Sequence, residues 1–543
     1  MKRFLVPTLF AFLVLAVLAP PALAQAPAPK VTITGLFDQI TSAGRNFYDG
    51  DMTRGSDREW YARTRFRPDF TFEVGRVKAV LGLEIDLMYG QAGANDGGFP
   101  GNVSGTNSGC KVNSNGCLDT NTDVGGMIEI KWIYTEFPLT GKDSVLPFIP
   151  VTTMARAGGQ PFASLANYKI VYANGDFAGL STITTLAPNI KLNLAHAILE
   201  DEIARGNRGA ATARTSRGED FAEIVSVDIS PFKGLDIKPM FSWFHADGVT
   251  ASAARHHVVN RRFAAGSHTN AASSLGGGAP AGDSAFHEDR YTIGFDARWR
   301  TGPFGFDPTI YYQWGQRDHM AVRTNGTVGK VEADMSSWIV DLIGSYQIGP
   351  LLLEARGVYS PGNKARDNLA RSVRYFQQLD ADGNYWVNWA AILANGGIDY
   401  FNSNLLTNMG RHIGYDRYGR AALGFKATYS ITPALAVYAW VSPNWTAEKV
   451  DTDTGVLPGT GAGVTSRTTL DDKSWVKGDS RYIGTEVDLG LTWRFASNTA
   501  IDLQGAYLFA GDALGTAEIL NGVHTRRDPN DGYMLAARVR FAF

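Results

Sequence analysis

Five arginines stand at alternate positions in two stretches of the chain: Arg63, Arg65 and Arg67, and, near the end, Arg538 and Arg540. A guanidinium keeps its proton at any physiological pH and presents a fixed fork of donors, so such a row attracts or holds anions and moves no protons. Carboxylates and further cations recur at even-numbered spacings, in Lys78, Glu84 and Asp86, Glu129 and Lys131, Asp236 and Lys238, Asp296 and Arg298, Glu354 and Arg356, and Glu486, Asp488 and Arg494. Side chains two apart share one face of a strand. Two chemistries fit this pattern. One is a field across a water-filled space that orients solutes and favours anions beside the arginines; the other is cross-strand pairing that merely keeps a wall wetted.

Bond-making signatures are lacking. The chain holds no Gly-x-Ser-x-Gly, no His-Glu-x-x-His and no phosphate loop, and Gly459-Thr-Gly-Ala-Gly463 reads as a linker between strands. Of nine histidines, His256, His257, His268, His287, His319 and His524 fall in segments read as loops and His412 in the longest one, leaving His196 and His245 near strand ends. Asp380-Ala-Asp382-Gly-Asn384 begins like a calcium loop, but the twelfth position is Ala391 where a bidentate Glu is needed. No cofactor and no metal are expected.

The elements that carry these residues follow from composition and patterning. With 51 Lys plus Arg against 53 Asp plus Glu, the formal charge of -2 speaks against a nucleic-acid partner. Sixty glycines with 29 Phe, 21 Tyr and 12 Trp indicate β architecture with many tight turns. Met1-Lys-Arg3, the apolar run Phe4 to Ala19 and the small-x-small site Ala22-Leu-Ala24 read as a secretory signal peptide over residues 1–24. Beyond it no run of 18 apolar residues occurs, which leaves a soluble exported protein or a β-barrel. In an exported chain Cys110 and Cys117 read as a disulfide closing a small loop, with a metal pair the weaker reading because no histidine is near.

From residue 25 on, runs of about ten residues with period-two hydrophobicity alternate with connections of two kinds. Tyr291, Ile293, Phe295, Ala297 and Trp299 share one face; after Gly302-Pro303, Phe306, Pro308, Ile310, Tyr312 and Trp314 make the next. Short turns recur at Val74-Gly75, Pro138 to Pro150, Pro188-Asn189, Pro231 to Lys233, Gly349-Pro350, Thr432-Pro433 and Ser497-Asn498. Long polar connections lie at about 41–58, 90–126, 158–176, 201–218, 248–287, 318–333, 361–416, 448–478 and 511–530. Strict alternation of short and long connections gives about 18 strands, with 16 the alternative, and a soluble sandwich has no reason to sort its loops by length. The fold class expected is all-β: a transmembrane antiparallel up-and-down β-barrel with short periplasmic turns and long extracellular loops. Trp299, Tyr346, Tyr429 and Trp493 fall at one end of the strands and Trp60, Tyr89, Trp314, Trp338 and Tyr359 at the other, as two interfacial girdles require. Within 361–416, Leu369, Val373, Phe376 and Leu379 recur at helical spacing, so that segment packs against something, either inside the lumen or over its mouth.

The final stretch, Tyr533-Met-Leu-Ala-Ala-Arg-Val-Arg-Phe-Ala-Phe543, resembles the terminal strand of Gram-negative outer-membrane porins, alternating apolar residues up to a C-terminal Phe. The motif covers about 11 residues and marks outer-membrane barrels generally; the hairpin pattern extends the resemblance over the mature chain without identifying a subfamily. The resemblance implies location in the bacterial outer membrane, a passive water-filled channel for ions and small hydrophilic solutes, contact with lipid and lipopolysaccharide, and a homotrimer. It also implies that Tyr533, Phe541 and Phe543 are read by the outer-membrane assembly machinery. Small outward residues at Gly344, Ala355, Gly357 and Ala421 suit close approach of neighbouring walls. Arg63, Arg65, Arg67, Glu84, Asp86, Arg298, Arg356, Arg538 and Arg540 then line the pore. Two rival readings are a barrel-type outer-membrane hydrolase and a surface-binding or adhesion scaffold whose lumen is closed.

Overall fold

The computed structural model describes residues 28–46, 52–53, 58–89, 126–161, 163–173, 176–201, 219–248, 286–322, 328–364, 372–379, 389–394, 418–450, 480–520 and 523–543. The proposed signal peptide, Cys110 and Cys117, Asp380 to Asn384, and His256, His257, His268 and His412 lie outside them.

Eighteen antiparallel strands follow one another round a ring. They are β1 (Lys30–Arg45), β2 (Arg58–Val74), β3 (Val77–Tyr89), β4 (Gly126–Thr140), β5 (Thr152–Pro161), β6 (Asp176–Ala187), β7 (Ile190–Asp201), β8 (Glu219–Phe232) and β9 (Leu235–Gly248). The second half comprises β10 (Phe286–Thr301), β11 (Phe304–Val322), β12 (Val328–Ile348), β13 (Leu351–Ser360), β14 (Arg420–Ser430), β15 (Leu435–Val450), β16 (Ser480–Ala496), β17 (Thr499–Ala510) and β18 (Gly532–Ala542). Each strand pairs with the next, and β1 closes on β18 from Leu36 opposite Ala542 to Arg45 opposite Tyr533. Closure removes every sheet edge, the condition for β-structure in hydrocarbon.

Alternation decides which face meets what. Outward side chains are apolar and open, with Trp60, Leu489 and Leu535 each 62% exposed, while inward ones such as Asp38, Asp86, Asn193, Asp296 and Glu486 are buried. A soluble protein inverts that order; a membrane barrel requires it. The aromatic residues expected at the strand ends are exposed at Trp299, Tyr346, Tyr429 and Trp493 on one rim and at Trp60, Trp338, Tyr359 and Tyr533 on the other. The turns at Gly302 and Gly349 have φ of 55° and 54°, a left-handed backbone that glycine adopts without Cβ strain, and the following proline fixes the next φ.

The C-terminus is tied into the ring. Phe543 N donates to Gly35 O at 3.0 Å and Gly35 N to Phe543 O at 2.9 Å. On the outer face Phe37 stacks on Phe66 with centroids 4.2 Å apart, Phe543 lies 6.2 Å from both, and Phe541 stacks 5.9 Å from Phe543.

Two boundaries differ from expectation. β11 and β12 run to Val322 and from Val328, and β10 starts at Phe286, so His287 and His319 belong to strands and not to loops. These strands outrun the 9–11 residues that span a bilayer. Above the membrane the outward face has no need to be apolar, so hydropathy stops marking a strand that hydrogen bonding continues. The connection from β17 to β18 likewise carries its own hairpin, Thr516–Leu520 with Val523–Arg527.

Candidate functional site

The arginines come together by register. Asp38 in β1 lies opposite Arg65 of β2 on one side and Arg540 of β18 on the other; Ile40 lies between Arg63 and Arg538 in the same way, and Arg67 is opposite Leu36. Carboxylates from the flanking strands reach in. Arg65 donates to Asp86 through Nε at 2.7 Å and Nη2 at 2.9 Å, and Arg67 Nε to Glu84 Oε2 at 2.6 Å. Arg538 Nε and Arg540 Nε meet Asp502 Oδ2 at 3.0 Å and 2.9 Å, and Lys131 approaches Glu84 at 3.9 Å. Arg63 is buried; Arg67 and Arg540 keep 34% and 36% of their side chains exposed, so these two present donors to the lumen. Asp38 and Asp502 were legible only as inward-parity carboxylates, each the one acidic residue of its strand. The side chains of Glu59, Tyr61 and Glu129 lie outside the described residues.

β10 is nine strands from β1 in either direction round the ring, so its wall faces the arginines. That wall carries an inserted segment, residues 163–173, between β5 and β6. Asp296 Oδ2 accepts the backbone N–H of Tyr168 at 2.8 Å and of Lys169 at 2.6 Å, while Oδ1 accepts Thr309 Oγ1 at 2.7 Å. Lys169 Nζ donates to the carbonyls of Asp307 at 2.7 Å and Asp341 at 3.0 Å. Burial pushes the Lys169 ammonium below the ordinary lysine range although Asp341 and Asp296 oppose that shift, and burial with the Asp228 carboxylate drives the Tyr168 phenol upward. Tyr172 Oη donates to Ser242 Oγ at 2.8 Å, and Leu165, Val171 and Tyr172 pack with Ile224, Met240, Phe244 and Tyr311.

Arg298 and Arg356 also hold this insertion and the wall behind it. Arg298 donates to Tyr168 O at 2.8 Å and covers the Tyr168 ring at 4.8 Å, and Arg356 grips Asp341 at 3.0 and 2.7 Å. The same-strand couples are not the partners: Lys238 meets Asp228 at 3.1 Å and Lys426 meets Glu354 at 3.6 Å, both across strands.

Part of the long connection 361–416 also enters the lumen. Ser372 and Val373 pair in parallel with Asp334 and Met335 of β12, and Leu379 N donates to Tyr172 O at 2.8 Å, so this segment locks onto the first. Gln377 exchanges hydrogen bonds with Gln313, its N–H reaching Oε1 at 2.9 Å and its carbonyl accepting Nε2 at 2.6 Å. Beneath it lies a buried network in which Glu288 Oε1 holds Arg290 Nη1 and Oε2 holds Arg317 Nε, each at 2.8 Å. Residues 389–394 cap the β16–β18 side, where Glu486 accepts the N–H groups of Ile392 at 2.7 Å and Leu393 at 3.0 Å. Sequence periodicity missed the 163–173 insertion because no regular spacing runs through it; its signals were the apolar residues Leu165 and Ala166 and the run Ile170 to Ala173 inside a connection read as polar.

The Glu486 contact gives a test of how the cap is held. Glu486→Gln keeps one acceptor oxygen and puts an amide donor in place of the other, leaving one of the two buried N–H groups without its partner, a loss of about 1–3 kcal/mol, so hydrogen exchange at the Ile392 and Leu393 amides is expected to quicken about fivefold or more. Unchanged exchange would show that packing against Ile40, Ile483, Leu508 and Met534 holds the segment unaided.

A closed, apolar-belted barrel with a charged lumen narrowed by folded-in segments defines the class: a bacterial outer-membrane β-barrel of porin architecture. Solved structures of similar fold include Pseudomonas aeruginosa OccK8 (OprE), at 12% identity and TM-score 0.46 over 95% of this chain and 98% of that one. A BenF-like porin from Pseudomonas fluorescens Pf-5 matches at 10% and 0.46 over 95% and 98%, and Acinetobacter baumannii OccAB3 at 9% and 0.43 over 95% and 100%. No protein-family model and no curated protein matches the chain.

Proposed function

We propose that the protein is a passive channel for small hydrophilic solutes and ions, that it favours anions, and that it performs no chemical step. The observation that carries this reading is the arginine wall of β18, β1 and β2, whose Arg67 and Arg540 expose donors across from the inserted 163–173 segment. A solute passing between them meets fixed cations on one side and a rigid, hydrogen-bonded ledge on the other. Paired carboxylates temper the field without abolishing it, since the five arginines outnumber Asp38, Glu84, Asp86 and Asp502. Export by residues 1–24, a homotrimer joined through flat wall positions such as Gly344 and Ala355, and recognition of Tyr533, Phe541 and Phe543 by the assembly machinery complete the proposal.

Liposome swelling tests it. Vesicles carrying the protein should swell in isotonic small neutral and anionic solutes faster than protein-free vesicles, and swelling equal to the controls would refute the channel. Deleting Phe543 should lower the amount in the outer membrane several-fold, because the residue supplies both the terminal ring and two backbone bonds to Gly35; wild-type membrane levels would remove its assembly role.

A further inference from the structure

Outside the lumen, the long-loop ends of β9 and β10 carry a cluster that neither the barrel nor the channel requires. Register sets His245 of β9 directly opposite Asp289 of β10, and His287 lies two residues before Asp289 on the same face. That face is the outer one, since the alternate residues Phe244, Ala246, Glu288 and Arg290 are buried within. His245 Nδ1 stands 2.8 Å from Asp289 Oδ1 and His287 Nε2 3.1 Å from Asp289 Oδ2. One ligand atom from each of the three lies within 4.8 Å of the others. Trp243 Nε1 donates to Asp289 Oδ1 at 2.8 Å, the kind of outer contact that fixes a ligating carboxylate.

We propose that His245, His287 and Asp289 bind one divalent transition-metal ion of the zinc class. Two ligands at i and i+2 on one strand and a third directly across are what a pleated sheet offers to a metal, because period two aligns the first pair and cross-strand neighbours lie about 5 Å apart. Two imidazoles and a carboxylate are a zinc donor set, and bonds of about 2.0–2.1 Å at tetrahedral angles separate ligand atoms by about 3.4 Å. The present hydrogen-bond distances therefore open by a few tenths of an ångström when the ion takes the place of the shared protons. All three side chains are partly exposed, so an adjustment of this size needs no repacking of the wall, and the fourth position faces outward to water. Hard cations such as magnesium, which seek oxygen ligands, do not suit the imidazoles.

The neighbouring couple His196 and Glu223, 2.7 Å apart on β7 and β8, marks where the site ends. The Phe221 ring stands between it and His245, 5.6 Å from His196 and 5.1 Å from His245, and a couple supplies only two ligands. A bound ion would staple β9 to β10 at the root of the connection between them, far from the arginine wall.

Zinc titration of untagged protein in detergent, followed by calorimetry, should show one ion per chain. His287→Ala and Asp289→Asn should each weaken binding at least tenfold, while a His256/His257/His268→Ala variant retains it. Cobalt(II) in the wild-type protein should give visible bands of a four-coordinate site, a readout that does not depend on any variant folding. No stoichiometric binding, octahedral cobalt spectra, or loss of binding in the loop variant with His287→Ala unaffected would each overturn the assignment.

Discussion

Replacing Glu288 with alanine should destabilise the barrel more than any other single lumenal substitution, by about 3–5 kcal/mol. The carboxylate is fully buried and holds the guanidinium groups of Arg290 and Arg317, themselves buried beneath Gln377. Burying two positive charges beside one another is tolerable only while an anion lies between them. Glu288→Gln keeps the volume and tests the charge alone, and it should lose most of the same amount. Because Gln377 is bonded to both arginines, at 3.3 Å to Arg290 and 2.8 Å to Arg317, either variant should also loosen residues 372–379. The midpoint of denaturant unfolding in detergent reads the first effect and proteolytic sensitivity of the lumenal segment the second. A midpoint equal to wild type would mean that the arginines find other partners and that the network is incidental.

The second large effect is on selectivity. Changing Arg63, Arg65 and Arg67 together to glutamine removes three cations and leaves Glu84 and Asp86 without their arginine partners, with Lys131 alone still near Glu84, so one sector of the wall reverses sign and does not simply fade. Reversal potentials measured under a salt gradient should move decisively toward cations, and the shift should be larger at about 0.01 M salt, where the screening length is about 30 Å, than at 0.15 M, where it is about 8 Å. Folding should survive, since lumen substitutions tune selectivity more than stability. Asp502→Asn provides the opposite sign: it releases Arg538 and Arg540 from their shared carboxylate and should raise anion preference. Equal reversal potentials in all three proteins would leave the row a wetted wall.

The legible part of this molecule was the part built on period two. Val31 to Phe543 declared their strands through alternation, and the turn residues at Gly302-Pro303 and Gly349-Pro350 fixed which connections were short. Parity also placed Arg63, Arg65, Arg67, Arg538 and Arg540 on one face. What parity could not show is pairing: that Asp502 meets Arg538 and Arg540 of the next strand, and that Asp38 of β1 lies beside Arg540 of β18 at the other end of the chain, emerged only through register. The inserted segments were less legible still. Asn167 closes the 163–173 segment on itself through the backbone of Tyr172 and Ala173, but its place in the lumen rests on Asp296, Asp307 and Asp341 of β10, β11 and β12, contacts more than a hundred residues away that no local pattern encodes. The 361–416 connection did announce by its apolar spacing that it packs, and residues 372–379 and 389–394 do so inside the lumen. His287 read as a loop residue because its strand extends above the bilayer, where the outer face loses its apolar signature.

The central claim is that this barrel conducts, and that its arginine wall makes the conduction anion-favouring. Single-channel recording in a planar bilayer at low salt with a salt gradient measures both at once. The account predicts discrete, lasting conductance steps with a reversal potential on the anion side of zero. A protein that inserts yet passes no current, or whose reversal potential lies on the cation side, would contradict it.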